Sequence, residues 1–160
     1  MAKTMQLLTA RCGKIRPDSV ADYLASGGFS ALKKAMDMAP MDIINEVIDA
    51  KLLGRGGASY PAGKKWKQLY EIEGSPKYIV CNADEGEPGT FKDKVLLEKD
   101  PLSIIEGMAI AGYVFDSHDG YIYIRGEYRE IQKLFQAAID SADRKSTRLN
   151  SSHITSSYAV

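Results

Sequence analysis

Two short stretches hold most of the residues whose types and spacing suit chemistry. The first, Gly54-Arg55-Gly56-Gly57-Ala58-Ser59-Tyr60-Pro61-Ala62-Gly63-Lys64-Lys65, sets four glycines beside an arginine and two lysines. Glycines let a backbone approach a ligand closely, and converging amides and cations attract an anion, so this stretch outlines a phosphate or dinucleotide cradle. The second, Cys81-Asn82-Ala83-Asp84-Glu85-Gly86-Glu87-Pro88-Gly89-Thr90, puts three carboxylates and an amide on a glycine-containing loop. One loop is basic and the other acidic.

Two common nucleotide motifs fail on detail. A Gly-x-Gly-x-x-Gly fingerprint would need glycine at Ser59 and a strand before Gly54, whereas the preceding residues read as a helix. A phosphate loop ending at Gly63-Lys64 would need glycine at Ala58 and a hydroxyl at Lys65.

The elements that must position these loops follow from periodicity. Ser19 and Asp22 make a capping-box-like start for a helix carrying Val20, Tyr23 and Leu24, ended by Gly27-Gly28. A second helix is predicted over 30–38 and a third from Pro40, with Ile44, Val47, Ile48 and Leu52 at helical spacing up to Gly54. Residues 63–73 read as a helix with Trp66, Leu69 and Tyr70 inward. The apolar run 77–81 then reads as a buried strand, with the acidic loop beyond its carboxyl end, where open parallel α/β sheets bind ligands. Thr90 and Asp93 are expected to cap the next helix. Pro101 opens another that buries Ile104, Ile105, Met108 and Ala109, with Gly107 and Gly112 allowing close packing on the sheet. Asp119-Gly120 turns into a strand over 121–125, and a last helix carries Ile131, Leu134, Phe135, Ala138 and Ile139. Strand, helix, strand, helix implies parallel pairing through a right-handed crossover, hence an α/β fold after a helical lead-in.

Composition bounds the function. The 160 residues suffice for one domain with a core. Balanced charge, 21 basic against 21 acidic side chains, argues against a nucleic-acid partner. Cys12 and Cys81 lie far apart without a Cys-x-x-Cys pair, so no self-contained iron–sulfur or zinc site and no metal is expected, and a reducing compartment is. No apolar run approaches the ~20 residues of a bilayer span, and Met5 to Leu8 is too brief for a signal peptide core. A cytoplasmic location without direct membrane insertion is the expectation. His118 and His153 lack neighbours that would suggest catalysis.

Three separated motifs together resemble a known family. They are Gly54-Arg55-Gly56-Gly57-Ala58 with Tyr60-Pro61, Gly63 and Lys65-Trp66; Cys81 through Asp93; and Tyr123-Ile124-Arg125-Gly126-Glu127-Tyr128. In this order they are similar to the FMN flavoprotein subunit of respiratory complex I, a module also found in NAD-linked hydrogenases and formate dehydrogenases. The resemblance runs from about Leu7 to Ala142 and implies a Rossmann-like, parallel-sheet FMN-binding domain, truncated here.

By that resemblance the chain takes part in hydride transfer from NADH to FMN, with electrons passing singly to iron–sulfur clusters. Gly54, Arg55, Gly56, Gly57 and Lys65 would form the flavin and nucleotide cradle, and Asn82, Asp84 and Glu85 would make polar contacts to FMN. Tyr60 would stack on a nucleotide ring. Glu87 would face NADH, accepting hydrogen bonds from ribose hydroxyls and repelling the extra phosphate of NADPH. Leu53 and Ser59 stand where the family usually has arginine and glycine, and Gln68 where an aromatic ring is frequent. The family's four-cysteine motif for a 4Fe-4S cluster lies beyond this chain, and the implied partner is a ferredoxin-like iron–sulfur subunit of the same complex, with the chain in the cytoplasm at the periphery of the inner membrane as part of that complex.

The expected organisation is a helical lead-in at 1–53, the amino-terminal part of the FMN/NADH domain at 54–142, and a disordered, non-native tail at 143–160. The tail is rich in Ser and Thr, and Lys145 to His153 resembles translated adaptor sequence. The rival expectation is an inactive fragment or an assembly module. Arg125 and Glu127 are read as a structural ion pair, and Trp66, Tyr70, Tyr121 and Tyr123 as core or sheet surface.

Overall fold

The computed structural model describes residues 6–146 and 155–158. The lead-in holds α1 (Val20–Ala25), α2 (Ser30–Met36) and α3 (Pro40–Asp49); α4 (Ala62–Glu71) follows the glycine loop. Strand β1 (Tyr78–Ala83) leads through α5 (Lys92–Lys99) and α6 (Pro101–Phe115) to β2 (Asp119–Ile124), then α7 (Arg129–Ser146) and β3 (Thr155–Tyr158). The α/β expectation holds. Strands β1 and β2 pair in parallel from Tyr78↔Asp119 to Ala83↔Ile124, and β3 joins β2 in parallel from Asp119↔Thr155, giving the order β1-β2-β3.

Local signals explain the helix starts. The Ser19 hydroxyl accepts from the Asp22 amide at the head of α1, and Pro40 and Pro101 open α3 and α6, where a missing N–H costs nothing. Gly63 marks a tight contact between helices: a Cβ there would sit 2.5–2.8 Å from Ile48, so α4 crosses α3 at backbone distance. The glycines expected to bring α6 close to the sheet do not do so. Gly107 is exposed with open space around it, and Gly112 approaches only the Ser117 carbonyl at the end of its own helix.

Helix α6 joins two cores. Leu102 and Ile105 pack with Val20, Tyr23, Leu97, Ile122, Ile124 and the inward side of α7, while Ala111, Val114 and Phe115 pack with Ala35, Ile43 and Ile44. Trp66 completes the second core, edge-on to Phe115 at 5.4 Å. The buried set on α6 therefore differs from the expected one: Ile104, Met108 and Ala109 are only half-buried, while Leu102, Ala111, Val114 and Phe115 are buried and Glu106 is 7% exposed. Tyr70 lies toward solvent instead of inward.

Other expectations need correcting. Strand β1 is not buried on both faces: Ile79, Cys81 and Ala83 turn toward the helices, while Tyr78, Val80 and Asn82 are exposed. With Tyr123 they make an uncovered sheet face, because the helical cores lie on the other side. Each strand is also longer than its apolar run. Backbone pairing carries β1 through Asn82 and Ala83, and Asp119-Gly120 opens β2 instead of turning before it. Beyond residue 142, α7 runs to Ser146 and the backbone at Thr155–Tyr158 pairs with β2. Residues 147–154, 159 and 160 lie outside the described residues.

The two glycine environments predict opposite outcomes in urea denaturation. Gly63→Ala should lose about 1–3 kcal/mol through collision with Ile48, whereas Gly107→Ala should gain about 0.5–1 kcal/mol by stiffening an exposed helical position.

Candidate nucleotide site

The basic stretch forms an exposed loop between α3 and α4. Its ends are pinned by the antiparallel bridge Leu53↔Pro61, by the Gly54 amide donating to the Tyr60 carbonyl at 2.9 Å, and by the Ala62 amide donating to the Leu52 carbonyl at 2.8 Å. Among the described residues none of the N–H groups of Arg55 to Ser59 donates a hydrogen bond. Arg55 and Lys65 are exposed and, among the described residues, unpaired with any carboxylate, so amides and cations are available to an anion. Gly57 takes φ +99°, and Ser59 sits at φ +51°. That left-handed conformation favours glycine and strains serine by about 1 kcal/mol. The Tyr60 hydroxyl donates to Oε1 of Gln68 at 3.0 Å, which holds the half-exposed ring against α4.

The acidic stretch begins inside β1. Asn82, expected on the loop, is the strand partner of Tyr123, and its Oδ1 accepts from the Asp84 amide at 3.1 Å. The chain then makes a turn in which the Thr90 amide donates to the Glu87 carbonyl; Pro88 and Gly89 at φ +80° occupy its two central positions, as a type II turn requires. Glu87 and Asp84 are exposed, and neither carboxylate has a hydrogen-bond or ion-pair partner among the described residues. Arg125 ties this loop to the one after β2: it donates to the Glu85 carbonyl at 2.9 Å and pairs with Glu127 at 2.8 Å, the ion pair read from the sequence.

Glu85 is engaged within the fold. It is 4% exposed, and its two carboxylate oxygens accept from the Asp93 and Lys94 amides at 3.0 and 3.1 Å. These are the open N–H groups of the first turn of α5, so Glu85 caps that helix from eight residues upstream. Thr90 and Asp93 do not cap it; the residue at that position is Phe91, without a side-chain cap. Burial by itself would raise the Glu85 pKa, but the Asp93 and Lys94 amides and the charge of Lys92 outweigh it and hold the carboxyl below its usual range.

The structure thus groups Gly54, Arg55, Gly56, Gly57, Tyr60 and Lys65 on one loop and helix start, and Asn82, Asp84, Glu85 and Glu87 at the carboxyl end of β1. Among the described residues no hydrogen bond or ion pair joins the two groups. Sequence reading missed the buried carboxylates that brace the fold beneath them. Glu106 accepts from the Tyr23 hydroxyl at 2.5 Å and from the Phe29 and Leu32 amides at 2.9 and 3.0 Å. Asp100 accepts from Arg11 at 3.0 Å, and the Arg11 guanidinium lies 4.7 Å from the centre of the Tyr23 ring. The signal for Glu106 was present, a single carboxylate within the apolar run 104–115.

A parallel sheet with a cationic glycine loop and polar strand-end residues defines an α/β domain of the nucleotide-binding class. Comparison with known proteins narrows it. A family model described as the Nuo51 FMN-binding domain matches residues 47–159, and the chain belongs to that family. It is 46% identical over 142 residues to an NADH-quinone oxidoreductase subunit of Aquifex aeolicus, covering 89% of this chain and 33% of that protein. It is 43% identical over 140 residues to the NADP-reducing hydrogenase subunit HndC of Solidesulfovibrio fructosivorans, covering 88% of this chain and 28% of that one. Among solved structures, an air-oxidised NAD+-reducing [NiFe]-hydrogenase superposes with a TM-score of 0.65 at 37% identity, over 75% of this chain and 20% of its own. The chain spans about a third of the length of these curated relatives. No described helix is long and apolar enough to cross a membrane.

The cap has a pH signature. Because the folded pKa of Glu85 lies below its unfolded value, its contribution is complete above about pH 5 and fades as pH falls through the folded value. Glu85→Gln should therefore cost about 1–3 kcal/mol near neutrality, and the gap to the parent protein in urea midpoints should narrow steadily below about pH 4.

Proposed function

We propose that the chain forms part of the FMN- and NADH-binding region of an NADH-oxidising flavoprotein subunit, working beside a ferredoxin-like iron–sulfur partner in a cytoplasmic complex peripheral to the inner membrane. The observation that carries this reading is the loop of unengaged amides at 55–59, flanked by Arg55 and Lys65, within a chain matched to an FMN-binding domain. Relatives named as subunits of NADH-quinone oxidoreductase and of hydrogenases that reduce NAD or NADP support the same chemistry.

The residues present fit FMN. Unengaged amides and two cations suit its phosphate, and the Asn82 amide with the exposed Asp84 carboxylate suits the polar edge of a flavin at a strand end. Bound FMN would supply the hydride acceptor, so the protein needs no acid or nucleophile of its own. Gly54, Gly56 and Gly57 let the backbone approach, Tyr60 offers a ring face for stacking, and Glu87 takes the ribose hydroxyls of NADH. Glu85 serves from behind, fixing the acidic loop to α5 instead of touching FMN. Glu87 is the residue assigned to the reaction, as a positioning carboxylate that selects NADH over NADPH. The iron–sulfur cluster that receives electrons belongs to a longer form of the subunit.

Two measurements test the reading. Titration of the chain into FMN should quench flavin fluorescence with a midpoint in the range of about 10–50 µM; absence of quenching favours an assembly piece without catalysis. In a full-length subunit carrying this sequence and reducing ferricyanide with NADH, Glu87→Gln should raise activity with NADPH relative to NADH about tenfold. An unchanged ratio removes Glu87 from the site.

A further inference from the structure

A ring of contacts closes around the carboxyl ends of β1 and β2. Asp84 follows Ala83 and Arg125 follows Ile124, the last paired residues of the two strands, so both loops leave the sheet side by side. Nη1 of Arg125 donates to the Glu85 carbonyl at 2.9 Å, while Nε and Nη2 donate to the two Glu127 carboxylate oxygens at 2.8 and 3.0 Å. The Tyr128 amide donates to the Arg125 carbonyl at 2.9 Å, and the Lys94 ammonium lies 5.5 Å from the centre of the Tyr128 ring. The Lys94 amide then donates to the Glu85 carboxylate at 3.1 Å, which returns the path to Glu85 through both loops and the head of α5.

Stability does not account for the arginine. Its side chain is 32% exposed and that of Glu127 67%, and an ion pair this open to water adds little to folding. What the pair does is orient. With two nitrogens held by Glu127, the planar guanidinium is set in one attitude, and its third nitrogen meets the Glu85 carbonyl. That carbonyl belongs to the peptide leading into Gly86, a residue with open space around it and no side chain to hold it. Directly after Gly86 comes Glu87, where the turn closed by the Thr90 amide begins. Without the Arg125 contact, a free glycine would separate Glu87 from its anchored upstream neighbour.

We infer that Arg125 is a positioning residue for the nucleotide site, fixing the Glu85–Gly86 peptide so that the Glu87 carboxylate stands where the ribose of NADH is held. The inference rests on the assignment of Glu87 to NADH. Arg125 acts through Glu87 and not on the reacting atoms, so its loss weakens NADH binding and leaves hydride transfer from bound NADH as it was. Lysine keeps the charge but not the fork, which separates orientation from charge.

The first test needs no cofactor. In the 160-residue chain, Arg125→Lys should lower the NMR order parameters of the Gly86, Glu87 and Gly89 amides below about 0.6 and leave those of the basic loop unchanged. The second uses the longer subunit carrying this sequence, with ferricyanide as acceptor. There Arg125→Lys should raise KM for NADH about fivefold, keep kcat within about twofold and leave FMN content unchanged. In a Glu87→Gln background the same change should move KM by less than about twofold, because the two residues act as a unit. Glu127→Gln, which leaves Arg125 in place without its orienting carboxylate, should raise KM about twofold, and it carries the test if Arg125→Lys does not fold. The inference is overturned if the order parameters stay as they were or if KM is unchanged in both variants. It is also overturned if the effects of Arg125→Lys and Glu87→Gln multiply independently, as they would for a guanidinium that only supports the fold or meets the nucleotide itself. Glu87→Gln without effect on KM or on the ratio of NADPH to NADH activity removes the assignment of Glu87, and this inference with it.

Discussion

The structure depends on one buried carboxylate. Glu106 sits midway along α6, the helix shared by both cores, and its oxygens take the Tyr23 hydroxyl and the Phe29 and Leu32 amides. Taking a carboxylate out of water costs several kcal/mol unless donors replace that water. Here the donors come from α1 and from the head of α2, a short helix with no side-chain cap of its own. Burial and the neighbouring carboxylate push the Tyr23 phenol upward, which keeps it a donor. The lead-in is thereby bolted to the sheet-bearing part, and Arg11 with Asp100 adds a second bolt beside the same tyrosine. One oxygen of Asp100 has no partner among the described residues, so that second link is electrostatically incomplete.

Glu85 repeats the device at the site itself. Both glutamates neutralise the positive end of a helix from outside it, Glu106 from 77 residues away and Glu85 from eight. What a cap from outside the helix adds is placement. Capping α5 from the loop after β1 fixes the path of that loop, and the Arg125 contact to the Glu85 carbonyl fixes it relative to the end of β2. The exposed carboxylates of Asp84 and Glu87 are therefore carried on a frame tied at two points, leaving their own side chains uncommitted.

Much of this was legible in the sequence because short-range rules govern it. The Ser19 cap, the prolines opening α3 and α6, the two parallel strands and the Arg125–Glu127 pair are local patterns, and the structure has them. The misreadings share one cause, dependence on partners outside the element being read. Thr90 and Asp93 look like caps until Glu85 arrives from the preceding turn, and Gly107 looks like a packing glycine until α6 proves to face the sheet with Ile105 and Leu102. Strand ends were set too short because backbone pairing, not hydrophobicity, decides where Asn82 and Asp119 belong. The glycine and acidic loops were recognisable as chemistry; their separation into one engaged and several free carboxylates was not, since that depends on which side chain the α5 amides capture.

The parallel pairing of β1 with β2 also sets an order of events at the ribosome. Tyr78 must wait for Asp119, about 40 residues later, before its strand has a neighbour. At synthesis rates of roughly 5–20 residues per second the delay is several seconds, long compared with helix formation. During it, β1 emerges with Ile79 and Cys81 unprotected, while α3 and α4 are already complete and able to pack through Gly63. Nascent chains of this protein pass through a period in which the helical half is formed and a sticky strand hangs from it, the interval in which a chaperone has most to do.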